Sequence, residues 1–394
     1  MKTEMLHTPP RVPRNARTAW TLTGLLYVLF SPPALRAQEA TEHVPGLAGK
    51  VLTVNGPVDP DSLGATMVHE HIFINRNHPN RPAPTTATRV RFYLKPLTMD
   101  MLGAVTMGYP NRDNLILGDE TTALQELADY RKRGGGTLVD VTSIGLGRDP
   151  AALRRVSKAT GVHVVMGTGW DTRALDPRDL EERSLDDLTR ELVRDVTSGV
   201  GNSGIRSGIV GEIATAGNPP TSVETKVIRA AGRASRITGA PVSLHTDGSG
   251  SGRTDAMLDL LEAEGTDLGR VILGNCDNLV RDLPSLTGLL KRGVYVEFDG
   301  ISEFHILRQA ATAAHVGDGI VELIRLGYLE RILLSQNVDQ KIDLKAYGGM
   351  GYTFVLEKFV PHLRGKGVTK KQIRTLIYEN PQRILTLAAP KPNR

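Results

Sequence analysis

Val68-His69-Glu70-His71-Ile72-Phe73 follows directly on Leu63-Gly64-Ala65-Thr66-Met67, and the two pieces read as one buried strand ending in a pair of histidines. Side chains alternate faces along a strand, so His69 and His71 point the same way with Cα atoms roughly 6.6 Å apart, and Glu70 faces the other side. Two imidazoles at that spacing can share one metal ion at about 2.0–2.1 Å from each nitrogen. An isolated H-x-H fits two packed histidines at a strand end equally well, so the rest of the chain decides its meaning.

Downstream of this strand lies a long connection, 74–118, with Pro79, Pro82, Pro84, Pro96 and Pro110 and no steady periodicity. Connections of that length in compact domains are often binding loops or lids. From Asp119 the pattern turns regular, with helix-like segments near 119–133, 149–160, 186–198, 222–238, 254–264, 282–292, 317–327 and 369–387. Between them lie short apolar runs: Thr137–Val141, Val162–Met166, Gly208–Ile213, Pro241–His245, Arg270–Gly274, Val294–Phe298 and Arg331–Ser335. With the His69 strand these make eight, each alternating with a helix, which signals a parallel sheet covered on both faces. A doubly wound open sheet fits the same alternation, but eight strand–helix units favour a closed (β/α)8 TIM barrel of the α/β class.

In such a barrel the chemistry sits where the strands end. His69 and His71 end the first strand, Glu212 the fourth and His245 the fifth; Asn275 ends the sixth, Asn337 the eighth, and Asp140 lies within the second. Any one of these histidines could simply be packed, and Glu212 alone could cap a helix. Taken together, three nitrogens and a carboxylate able to bridge two ions suit zinc, cobalt, manganese or iron better than calcium or magnesium. Such a centre makes a nucleophile by lowering the pKa of bound water toward about 7. His163, which starts a strand, His7 and His43 near the N-terminus, and His305 and His315 in the expected loop after the seventh strand carry weaker signals.

The N-terminus reads separately. Lys2, Arg11, Arg14 and Arg17 precede the apolar run Trp20–Phe30, Ser31-Pro32-Pro33 breaks it, and Ala34-Leu35-Arg36-Ala37 offers a cleavage point. That order describes a secretory signal over 1–37 with an apolar core too short to span comfortably. The expected mature protein is a single domain, 38–394, exported to the periplasm or the extracellular space, with no integral membrane segment after signal removal. The signal accounts for most of the formal +5 charge, leaving 43 basic against 42 acidic residues, so a nucleic-acid or anionic-membrane partner has no electrostatic motive. Cys276 is the only cysteine, which excludes an intramolecular disulfide. Gly134-Gly-Gly136 and Gly248-Ser-Gly250 lack the dinucleotide fingerprint and read as loop punctuation.

Gly64-Ala-Thr-Met-Val-His-Glu-His71, Val139–Pro150, Met166-Gly-Thr-Gly-Trp170, Gly208-Ile-Val-Gly-Glu212, Arg331–Gln336 and Asn380-Pro381-Gln-Arg383 together resemble the phosphotriesterase family of the amidohydrolase superfamily. The likeness runs from about residue 47 to 388. It implies a TIM barrel with a binuclear centre, usually zinc: His69 and His71 on the first ion, His245 on the second, and Glu212 bridging where other members carry a carbamylated lysine. It also implies a homodimer and a small-molecule ester substrate, a phosphotriester or a lactone, attacked by a metal-bound hydroxide. Two positions depart from the pattern. Asn275 stands where the family has a further histidine, and Asn337 stands at the aspartate that binds the first ion and serves as general base. Asp277 and Asp339, two residues beyond, are the nearest acids that could substitute. The expectation is therefore a metal-dependent hydrolase of esters with altered or reduced activity, the alternative being a catalytically impaired pseudoenzyme or binding protein on the same barrel.

Overall fold

The computed structural model describes residues 46–78, 83–174, 178–246, 252–302 and 312–391. The expected signal 1–37, Pro79, Pro82, the stretch Gly248-Ser-Gly250, and His7, His43 and His305 lie outside them. A short antiparallel hairpin, Val51–Thr53 with Gly56–Val58, leads in. Eight strands then form one sheet: β1 (Ala65–Glu70), β2 (Gly135–Asp140), β3 (His163–Thr168), β4 (Ile209–Ile213), β5 (Val242–His245), β6 (Val271–Gly274), β7 (Tyr295–Phe298) and β8 (Ile332–Leu334). They lie in sequence order, and neighbours pair in parallel.

The ladder runs from β1 to β8, and the last joint, β8 against β1, is made largely by side chains. The Ser335 hydroxyl accepts from the His69 N–H at 3.0 Å and lies within hydrogen-bonding distance of the His69 carbonyl, 2.9 Å, and the Glu70 carboxyl, 2.5 Å. Glu70 also accepts from the backbone N–H of Gln336 at 3.1 Å, the Gln336 amide at 2.8 Å and the Val338 N–H at 2.9 Å. One backbone bond, His71 N–H to the Val338 carbonyl, completes the seam. Glu70 faces away from the two histidines, as strand alternation requires, and it fastens the barrel shut.

Two apolar layers follow from period-two alternation. Val68, Val139, Val165, Ile209, Ile272, Tyr295 and Leu333 fill the barrel, with Val51, Leu63, Ile384 and Leu385 packed against them at one end. Met67, Leu138, Val164, Val210, Val242, Leu273, Val296 and Ile332 join the outer layer beneath the helices. The helices are α1 (Glu120–Lys132), α2 (Pro150–Thr160), α3 (Leu185–Thr197), α4 (Ser222–Thr238), α5 (Gly252–Ala263), α6 (Leu283–Lys291) and α7 (Ala313–Arg325). Asp149 and Pro150 start α2, and capping boxes start α3 and α4.

The structure differs from the sequence reading in three places. The connection 74–118 is not featureless: Ile74–Asn75 pairs with Ile116–Leu117, and short helices occupy Ala87–Leu94 and Leu102–Thr106. Helix α7 begins four residues before its expected start, so His315 sits in its first turn beside the capping Thr312, whose hydroxyl is 2.8 Å from the ring, and not in a loop. The closing helix starts at a capping box on Thr369 but includes a π-helical turn over Thr375–Glu379.

Candidate metal centre

Strict alternation would place His69 and Glu212 in the outer layer, because Met67 and Val210 are there. Both strands break the rule with a bulge. On β1 the register slips between Met67 and Glu70 opposite β2, and on β4 Val210 and Gly211 both oppose Thr168. An extra residue reverses the facing of all that follows, a common device beside active sites. Gly211 makes this possible on β4: its φ is +141°, and a Cβ there would lie 2.5 Å from the Ser243 carbonyl oxygen. His245 needs no such device and follows Ser243 inward.

The outcome is a group of donors at the C-terminal mouth. One ligand atom each from His69, His71 and Glu212 lies within 4.8 Å of the others, and all three side chains are buried. His69 Nε2 is 3.7 Å from Glu212 Oε1 and has no hydrogen-bond partner, an orphaned buried nitrogen turned toward the site. The opposite nitrogen, Nδ1, is held 3.3 Å from Glu297 and 3.1 Å from Asp299. A carboxylate behind a ligating imidazole fixes its tautomer and strengthens its basicity. Gly274 leaves room for this clamp, since a Cβ there would stand 3.2–3.4 Å from His69, Asp299 and Glu297. His71 Nδ1 is fixed in the same manner by the Thr142 hydroxyl at 3.0 Å. His245 Nδ1 is 2.5 Å from Glu212 Oε1, but His245 does not join the three-donor group.

The electrostatics fit cation binding. Burial works against the Glu212 carboxylate, yet the His245 and His69 imidazoles outweigh it and hold the group well below the usual range. Burial, helped by His69, lowers His71 to about 4, so its imidazole is neutral and free to ligate at ordinary pH. Burial lowers His245 as well. In His69 the desolvation is overcome by Asp299, Glu212 and Glu297, which raise it; a bound cation would take the proton's place. The residues present therefore fit a divalent ion at His69, His71 and Glu212.

The donors open onto a cavity of about 460 Å3. Asn275 and Asn337 both line it, although neither continues a strand: each has a left-handed backbone, φ 59° and 48°, and that turn brings the side chain to the cavity wall. Asp277 and Asp339 also line it, but neither replaces the missing ligands. Asp277 accepts from the N–H groups of Asp299 and Gly300 at 3.3 and 3.0 Å, and Asp339 pairs with Arg76. Asp140, the remaining strand-end acid, is spent on the Ile72 N–H at 2.7 Å and the Thr142 N–H at 3.0 Å. Sequence reading missed Glu297 and Asp299, although both lie at the end of the seventh apolar run. It also missed Arg76 and the Arg173–Asp171 pair, 2.7 Å, which lie on loops without periodicity.

Comparison with known proteins agrees with this geometry. The model of the phosphotriesterase family matches residues 49–385. N-acetyltaurine hydrolase from Danio rerio is 32% identical over 349 residues, which cover 86% of this chain and 99% of that protein. A resiniferatoxin-binding protein from Rhodobacter sphaeroides has a similar structure, with a TM-score of 0.78, 34% identity, and coverage of 86% of this chain and 95% of the other. A lactonase from Listeria monocytogenes superposes with a TM-score of 0.71 at 26% identity, covering 86% and 100%. With an eight-stranded barrel and a histidine–glutamate donor group at its C-terminal mouth, this chain belongs to the phosphotriesterase family.

Proposed function

We propose that this protein is a metal-dependent hydrolase of a small ester or amide substrate: a lactone, a phosphotriester or an N-acyl amide. The observation that carries the reading is the convergence of His69 Nε2, His71 and Glu212 on one point beside the cavity, with the His69 nitrogen buried and unpartnered. A divalent ion of the zinc class held there would supply a Lewis acid and bring the pKa of water toward about 7. The chain's own residues do the rest. Glu212 provides the negative charge of the donor set, Glu297 and Asp299 orient His69, and Thr142 orients His71.

Amide substrates enter through the N-acetyltaurine hydrolases, and ester substrates through the lactonase. Two cavity features favour a substrate with an acidic tail. Arg173 engages Asp171 through Nε and one terminal nitrogen, leaving the other terminal nitrogen as a further donor, and Arg76 lines the same cavity. The decisive assay runs one lactone, one phosphotriester and N-acetyltaurine against metal-loaded and metal-stripped protein. The hydrolase reading fails if no substrate turns over above the stripped control. Export with removal of 1–37 is part of the proposal and is checked by N-terminal sequencing of the secreted chain.

A second reading rests on Asn337. Its carboxamide cannot accept a proton, and losing a positioned base typically costs about 10²–10⁴-fold in rate. A binding protein that retained the barrel would look the same at this position, and it would bind the substrates above without cleaving them.

A further inference from the structure

We propose that this chain holds a single divalent ion, at His69, His71 and Glu212, in a family whose centre is binuclear, and that the second ion's space is left to substrate. The inference rests on reading the site as a metal centre and concerns how many ions it keeps.

The donor inventory of the cavity leads to this count. Stable zinc sites take three or four ligands from cysteine, histidine, aspartate and glutamate. His69, His71 and Glu212 supply three for one ion. A second donor group, His69 with Glu297 and Asp299, uses the opposite nitrogen of His69 and does not line the cavity. On the cavity side only His245 remains for a second ion, and its Nδ1 already lies at hydrogen-bonding distance, 2.5 Å, from the Glu212 oxygen it would have to share. Among the described residues, no other carboxylate lining the cavity forms a three-donor group with His245. Asp171 is bound bidentately by Arg173, Asp339 is paired with Arg76, and Asp277 holds two backbone N–H groups on Oδ2, leaving Oδ1 buried without a partner.

Asn275 and Asn337 do not fill the gap. A carboxamide is neutral, so neither adds charge to offset a second dication. Their conformation points to another use. Both occupy the left-handed region, which non-glycine residues adopt uncommonly, and both present a buried Oδ1 with no hydrogen-bond partner. Asn337 is 8% exposed. A buried carbonyl without a donor is costly, and a substrate N–H or O–H, or a water it displaces, would satisfy it.

The test is a metal count on the full chain. Protein loaded with excess zinc, or separately manganese, is dialysed and analysed by inductively coupled plasma mass spectrometry. The wild type is expected to retain one ion per chain, and His245→Ala is expected still to retain one. Restoring the family's ligands with Asn275→His and Asn337→Asp is expected to raise the count to two. Zero or two ions on the wild type overturn the proposal. So does a folded His245→Ala protein with none, or a folded double variant that stays at one. If the double variant does not fold, the wild-type and His245→Ala counts decide. Because no substrate is involved, a chain that binds one ion yet hydrolyses nothing fails as a hydrolase while this inference stands.

Discussion

Glu212 is the only acid in the three-donor group, and Glu212→Gln keeps its shape while removing its charge. Metal retention should fall by more than the roughly 10–100-fold that outer-shell changes cost, read by the same dialysis and metal analysis, with the fold intact by circular dichroism. Glu70, one residue from each histidine, makes a different prediction. Burial raises its carboxyl from 4.5 to about 7, against the hydrogen bonds from Ser335, Val338 and Gln336. Between those two values the native state keeps a proton that the unfolded chain has released, so this group's contribution falls as pH rises. Its span is at most about 3–4 kcal/mol. His71, lowered from 6.5 to about 4, acts in the opposite sense, losing stability as pH falls through that window. Comparing wild type with Glu70→Gln in denaturant melts at pH 5, 6 and 7 separates the two. The wild type's advantage should shrink toward pH 7, and a constant difference would refute the Glu70 assignment.

At the scale of elements, the residue types at the strand ends were legible and the devices that aim them were not. The eight apolar runs fall on the eight strands within a residue or two, because buried parallel strands are nearly continuous in Val, Ile and Leu. His245 could be placed by alternation alone. His69 and Glu212 reach the interior only through bulges, and Asn275 and Asn337 only through left-handed turns, which no hydrophobic period reports. Glu224 shows a similar limit. In sequence it is the third residue of a capping box on α4, yet its carboxylate also accepts from the N–H groups of Ala216 at 2.6 Å and Gly217 at 3.2 Å, gathering the loop after β4. Thr221→Ala should therefore cost about 1 kcal/mol, an ordinary cap, whereas Glu224→Ala should cost about 2–3 kcal/mol by stranding several donors. Thermal melts of the two variants give the ratio.

For the whole molecule, a metal held by this donor group would be linked to the fold, because the donors come from β1 and β4 and the unfolded chain offers no preformed site. Zinc at 100 times its Kd should add about 2.7 kcal/mol, raising the melting temperature, and a chelator should reverse the gain. Among the described residues no helix is long and apolar enough to cross a membrane. The seam between β1 and β8 has a consequence of another kind. Seven joints of the barrel are backbone ladders, but the eighth depends chiefly on Glu70 and Ser335. If that clasp goes, as in Glu70→Ala, the closed sheet gains two free edges, each with unpaired N–H and C=O groups able to recruit strands from other molecules. The residue between the two strand-end histidines would then guard the protein against aggregation, and light scattering of the warmed variant, set against wild type at equal concentration, would reveal it.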